Sequence, residues 1–355
     1  MRSGQEWQDF LQTEGAVQVD GEVSHFGDPV LERRAAGEGD IIADLSHLAL
    51  ISADGEDAGS FLQGQLSNDI RLVSATHSKI AGYCTPQGRM LAIFRIFMRD
   101  GTYFLQVPAS LLEPTLKRLR MFVLRAKVRL DDAGGSWMRI GVSGPGTPAA
   151  LSAEGLVPPD TADACATDRG VTVLRIAGPV PRFELIAAVE VMAPLWKRLR
   201  TRLTAVGAGV WSWLDIAAAI PTVLPQTLEQ FVPQMANLDL VGGISFNKGC
   251  YPGQEIVARM HYLGRLKQRM VRARVDTGTQ PGPGAPVYAP DFTGQSAGTV
   301  VDARPAPEGG FDVLAVIQLS SIHNGELKLD SPAGRALRLL PMPYTIEPDP
   351  AASKR

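Results

Sequence analysis

Cysteine is scarce and scattered. Cys84, Cys165 and Cys250 are the only three in 355 residues, and with no C-x-x-C pair among them they support neither a disulfide framework nor a self-contained zinc or iron–sulfur site. Histidine is equally dispersed, at His25, His47, His77, His261 and His323, with no H-E-x-x-H, so metal chemistry has no basis in the sequence. Long apolar runs are missing too. The longest, such as Ile216 to Ile220 and Val313 to Ile317, reach about five residues against the roughly 18 a bilayer span needs, so neither a membrane span nor a membrane partner is expected. Neither sign of charge dominates: 35 Lys and Arg face 37 Asp and Glu, which disfavours a globally basic nucleic-acid binder. With 45% apolar residues the chain is not compositionally disordered. The stretch Met1-Arg2-Ser3-Gly4-Gln5-Glu6-Trp7 lacks the apolar core of a secretory signal, and a cytoplasmic protein is the expectation.

What is present reads as an α+β chain of two to three domains at about 150 residues each. Ser52-Ala53-Asp54-Gly55-Glu56-Asp57 offers cap-type residues, and Ala58, Phe61, Leu62 and Leu66 follow at helical spacing, predicting a helix that ends near Ser67-Asn68-Asp69. Two apolar runs, Met90 to Met98 and Thr102 to Val107, flank Arg99-Asp100-Gly101, and Asp-Gly there predicts a β-hairpin. Leu116, Leu119, Phe122 and Val123 mark one helix face after Pro114; Trp196, Leu199 and Leu203 mark another that ends near Gly207. The Gly-, Pro- and Ala-rich stretch 143–163 reads as a loop or insertion. From residue 265 to 341 short β-type runs separated by Gly and Pro predict a small barrel, followed by a tail at 342–355; residues 1–264 form the larger region.

Two basic stretches stand out: Lys117, Arg118, Arg120, Arg125, Lys127 and Arg129, and then Arg265, Lys267, Arg269, Arg272 and Arg274. In the second, a register shift near Met270-Val271 would set the charges on one side of a strand. Either stretch is a solvated face or a surface for a polyanionic ligand, and direct nucleic-acid binding is disfavoured by the overall charge balance.

The segment richest in chemistry is Lys248-Gly249-Cys250-Tyr251-Pro252-Gly253-Gln254-Glu255. Pro252 suits a first helical position with Gln254 and Glu255 in the opening turn, which sets Cys250 just before a helix N-terminus. The helix dipole and the ammonium of Lys248 would both favour a thiolate, and Gly249 and Gly253 allow close approach to the backbone.

These residues closely resemble the K-G-C-Y-x-G-Q-E signature of the YgfZ-type folate-binding family, relatives of the glycine-cleavage T-protein that serve iron–sulfur protein maturation. Phe61-Leu62-Gln63-Gly64-Gln65-Leu66-Ser67-Asn68-Asp69, Tyr83-Cys84-Thr85-Pro86-Gln87-Gly88-Arg89 and Phe231-Val232-Pro233-Gln234-Met235-Ala236-Asn237-Leu238 resemble further elements of that family in the same order, so the resemblance spans roughly residues 40 to 340. It implies a T-protein-like fold closed by a C-terminal barrel, with tetrahydrofolate as a bound and not necessarily consumed cofactor. It also implies iron–sulfur client or assembly proteins as partners, including tRNA-modifying ones. On the same basis Cys250 is the working thiol with Lys248 lowering its pKa, and Gln234, Asn237, Gly253, Gln254, Glu255, Arg259 and Arg265 line the folate site, the arginines facing its anionic tail. In T-proteins an aspartate following the early turn assists aminomethyl transfer; here Gly88-Arg89-Met90-Leu91 carries no acid. The resemblance therefore implies an accessory factor, the alternative being a folate-dependent aminomethyltransferase or demethylase acting on a small amine. The family's R-I-x-x-G-I-P stands here as Asp215-Ile216-Ala217-Ala218-Ala219-Ile220-Pro221, with Asp for Arg and Ala for Gly.

Overall fold

The computed structural model describes residues 2–264, 266–324 and 326–346. They fall into two compact units, one drawn from residues 1–62, 70–79 and 94–214 and the other from 63–69, 80–93 and 215–355.

In the first unit a six-stranded sheet runs in the order Cys165–Asp168, Val171–Arg175, Arg182–Ala187, Met138–Ser143, Ile41–Asp44, Thr204–Val206. The last pairing alone is parallel. One face is covered by helices Arg2–Thr13 and Val189–Leu199, which sink Trp7, Leu11, Met192, Leu195, Trp196 and Leu199 into the core. Trp7 and Trp196 meet edge to face at 5.9 Å, and the Trp7 indole N–H donates to the buried Asp44 at 2.7 Å. Burial pushes the Asp44 carboxyl above the usual carboxylate range, while the bonds from Trp7 and Ser46 pull against it. On another side Trp211 lies among Ile41, Ala43 and Val206, with the Arg182 guanidinium 4.1 Å from the centre of its ring.

The predicted hairpin forms: strands Met90–Arg99 and Thr102–Pro108 pair from Arg99 opposite Thr102, and Asp100 and Gly101 both take positive φ, 50° and 79°, as a type I′ turn requires. Other local expectations need correcting. The helix predicted from Ala58 forms over Ala58–Gln65 and ends slightly early, but Ser52-Ala53-Asp54 finishes strand Leu48–Asp54 and pairs with Thr102–Pro108 instead of capping it. The stretch 143–163 contains helix Thr147–Ala153, which has Pro in its first turn and buries Ala150 and Leu151. The helix bearing Trp196 stops at Leu199, since Thr204–Val206 leaves it to join the sheet. On helix Leu112–Met121, Leu116 and Leu119 are buried but Phe122, just past its end, is exposed.

In the second unit residues 268–340 form a closed barrel in the order Gln268–Val275, Phe311–Gln318, Gly298–Pro305, Pro286–Tyr288, Leu327–Leu329, Ala336–Leu340. Small and β-branched side chains fill its interior, among them Ala273, Val275, Val287, Val300, Ala303, Val313, Ala315 and Ile317, as the narrow lumen of six strands demands.

In the first unit Gly141 packs against the Trp211 ring, and an added Cβ there would lie 2.4 Å from it. Gly141→Ala is expected to cost about 1–3 kcal/mol through overpacking, read as a lower denaturation midpoint with unchanged slope.

Candidate functional site

The signature segment is held in the second unit by its lysine. Lys248 is buried, and its ammonium donates to the carbonyls of Gln63, Leu66 and Asn68 at 2.6, 2.5 and 2.9 Å, with the Tyr251 ring centre 5.1 Å away. Burying an ammonium is costly unless its N–H groups are satisfied, and three charge-assisted bonds to carbonyls offset that cost. A compact three-donor group suits this cage; a planar guanidinium does not.

The backbone that supplies those carbonyls is fixed in turn. Ser67 Oγ donates to the Gly243 carbonyl at 2.7 Å and accepts from the Gly82 N–H at 2.7 Å. Asn68 donates to the carbonyls of Ile80 and Gly242 at 2.7 and 2.8 Å, and the Ser245 N–H reaches the Ser67 carbonyl at 3.0 Å. Segments 63–69, 80–84 and 242–248, distant in sequence, become one scaffold.

Beyond Lys248 the chain turns at Tyr251-Pro252-Gly253-Gln254, closed by the Gln254 N–H on the Tyr251 carbonyl at 3.2 Å. Gly253, with φ 82° and ψ 1°, has the dihedrals of the third residue of a type II turn, which Pro precedes well. Pro252 thus belongs to the turn and not to the first helical position; helix Gln254–Tyr262 starts two residues later with Gly253 as its N-cap. A Cβ on Gly253 would sit 2.5 Å from the Thr85 carbonyl and 2.6 Å from Gly88 Cα. Gly88, at φ 73°, closes the turn at Thr85-Pro86-Gln87-Gly88, so two glycine turns pack back to back with no room for side chains.

Of the three cysteines, Cys250 is exposed while Cys84 and Cys165 are buried. Burial pushes the Cys84 thiol up to about 12 and the Cys165 thiol up to about 11. Tyr251, buried beside Cys84, is raised as well, first by burial and then by Cys84.

The remaining sequence candidates divide into buried anchors and surface groups. Gln234 donates to the Val257 carbonyl at 2.7 Å, and its Oε1 is buried with no hydrogen-bond partner among the described residues. Asn237 is fully buried; its amide N–H donates to the Met270 carbonyl at 2.7 Å and to Tyr344 Oη at 3.2 Å, which fastens segment 231–238 to the first barrel strand. Gln254 is half-buried, Glu255 and Arg259 are exposed, and Arg259 has no ion pair among the described residues. Arg265 lies outside the described residues. At the far end of the helix His261 stacks on Phe246 with ring centres 3.7 Å apart.

The basic strand differs from its expectation. Pairing of Gln268–Val275 with Phe311–Gln318 runs without a register shift, so Arg269 falls on the opposite side from Arg272 and Arg274. Arg269 makes a two-pronged pair with Asp239 at 2.7 and 3.0 Å, Arg274 pairs with Asp312 and Glu308, and Arg272 donates to the Pro341 carbonyl. Arg269 and Arg274 are thus engaged by carboxylates and Arg272 by a backbone carbonyl.

At the departure from the family pattern, Ala219 is buried with φ 49°, a conformation that favours glycine, and its carbonyl accepts from Tyr344 Oη at 2.8 Å. Asp215 lies close enough to the buried Asp302 to add to the rise that burial gives that carboxyl, while Arg304 opposes it. Among the described residues no cluster of three or more His, Cys, Asp or Glu side chains could hold a metal ion, and no helix is long and apolar enough to cross a membrane.

This architecture is that of the glycine-cleavage T-protein class. The structure matches the glycine cleavage system aminomethyltransferase T of Bartonella henselae with a TM-score of 0.78 over 97% of this chain and 98% of that one, at 15% sequence identity. Among curated proteins, the tRNA-modifying protein YgfZ of Edwardsiella ictaluri is 33% identical over 308 residues, 84% of this chain and 90% of that protein. Its counterpart in Sodalis glossinidius is 30% identical over 310 residues, 86% of this chain and 93% of that protein. The chain belongs to the YgfZ family. No family model matches it.

Two outcomes follow from this geometry. Iodoacetamide at pH 8 should modify Cys250 alone in the native protein, because a thiol at about 12 is ionised to only about one part in ten thousand there; peptide mapping that finds Cys84 or Cys165 labelled at the same rate would contradict the burial. Lys248→Met strips three carbonyls of their donor and is expected to cost at least about 3 kcal/mol. If Lys248 served chiefly to activate the thiol, that variant would keep its stability and alkylate more slowly.

Proposed function

We propose that this protein binds tetrahydrofolate and acts as an accessory factor in the assembly or repair of iron–sulfur clusters in client enzymes, tRNA-modifying ones included, with Cys250 as its working thiol. The observation that carries the reading is the display of Cys250: it is the exposed one of three cysteines, on a loop whose neighbours Lys248 and Gly253 are both buried and fixed. The names of the relatives, tRNA-modifying proteins, and the fold shared with an aminomethyltransferase support the same direction.

Folate has a pterin with N–H donors and an anionic glutamate tail. Gln234 Oε1, a buried acceptor with no partner among the described residues, suits such a donor, and the exposed guanidinium of Arg259 suits the tail. When bound, folate would supply a one-carbon carrier. The chain contributes binding groups and no acid at Gly88-Arg89-Met90-Leu91, so aminomethyl transfer has no proton-handling group at the position where T-proteins keep one.

Anaerobic calorimetry with tetrahydrofolate, coupled to product analysis, is expected to give saturable binding without turnover. Absence of saturable heat would remove the folate role, and a converted product would mark a transferase. Cys250→Ala is expected to leave folding and folate binding intact while cluster-dependent enzymes lose activity in the cell; full client activity in that strain would remove the thiol from the function.

A further inference from the structure

We infer that the tip formed by residues 117–125 in the first unit is a docking surface for another protein, specifically for a segment whose apolar side chains are flanked by carboxylates. Three bulky apolar residues crowd this tip in the open: Met121 is 66% exposed, Phe122 42% and Leu124 89%. Single exposed apolar residues are ordinary, whereas three within four positions form a patch.

The backbone holds that patch outward. After helix Leu112–Met121 the chain makes a tight turn at Val123-Leu124-Arg125-Ala126, closed by the Ala126 N–H on the Val123 carbonyl at 2.9 Å. Leu124 takes φ 26° at its apex, a region where a leucine is strained and a glycine is not. A strained conformation that presents the most exposed leucine among the described residues is what recognition sites keep and cores do not.

The cations around the patch divide into used and unused. Lys127 pairs with Glu56, Arg129 with Asp54 and Asp131, and Arg120 with Asp131. Lys117, Arg118 and Arg125 have no ion pair among the described residues, and Arg118 stands 5.9 Å over the Phe122 ring. Apolar knobs set among unpaired cations call for an apolar recess rimmed by carboxylates, and the rim charges would set encounter rate and orientation. A protein segment meets both demands; a nucleic acid meets only the charge.

The test places p-benzoylphenylalanine at Leu124 of the full chain in living cells, irradiates, and sequences the cross-linked adduct. The expected adduct is a peptide with Asp or Glu flanking Leu, Ile, Val or Phe, and its yield should fall about tenfold in Lys117→Glu/Arg125→Glu while selective alkylation of Cys250 persists as the control for folding. The neutral variant Lys117→Gln/Arg125→Gln should fall between. Adducts to RNA or lipid, an adduct to a segment without carboxylates, a yield indifferent to charge reversal, or no adduct at all would each overturn the inference.

Discussion

The second unit depends on a single ammonium inside a cage of backbone carbonyls. Lys248 accounts for the carbonyls of Gln63, Leu66 and Asn68 together, groups that run from the last turn of helix Ala58–Gln65 into the segment after it. A buried carbonyl left alone costs about 1–3 kcal/mol, so the cage is worth far more intact than any one of its bonds suggests. Its consequence is positional. With Lys248 fixed on one side and the Tyr251-Pro252-Gly253-Gln254 turn fixed on the other, Gly249 and Cys250 have nowhere to go but outward.

A second set of anchors joins the segment at 231–244 to the barrel. Asn237 exchanges hydrogen bonds with both the N–H and the carbonyl of Met270, Arg269 grips Asp239 with two nitrogens, and Tyr344 bridges Asn237 and Ala219. Burial lifts the Tyr344 hydroxyl to about 12, which keeps it protonated and able to donate to the Ala219 carbonyl across the ordinary pH range. The barrel's first strand is therefore fixed at its start by polar contacts and along its length by apolar ones, Val271, Ala273 and Val275 facing inward.

Features set by local chemistry were legible in the sequence; features set by distant partners were not. Asp100-Gly101 announced a hairpin because its dihedral demands are local, and the short β-runs after residue 265 announced a barrel because Gly and Pro punctuate them. Ser52-Ala53-Asp54 read as a cap because nothing nearby reveals that Thr102–Pro108 pairs with it 50 residues on. Helix Thr147–Ala153 was hidden by its small residues, which carry little periodicity even though Thr147, Ala150 and Leu151 are buried. In the site, the cysteine loop was visible as a motif, but the partners of Lys248, Gln234 and Asn237 were not, because all three reach backbone atoms that any residue could supply. Backbone acceptors leave no trace in composition.

In Lys248-Gly249-Cys250-Tyr251-Pro252-Gly253-Gln254-Glu255, most positions answer to a packing or backbone constraint: an ammonium for three carbonyls, a buried aromatic over that ammonium, and a Pro-Gly pair for a turn in which a Cβ on the glycine would lie 2.5 Å from the Thr85 carbonyl. Each of these would be retained for folding alone. Cys250 answers to none of them, since it is exposed and its thiol takes no part in the scaffold's hydrogen bonds. An exposed thiol is a liability to oxidation. The proposal that Cys250 is the working thiol rests on this contrast between a constrained scaffold and the one exposed thiol, which contributes nothing to it.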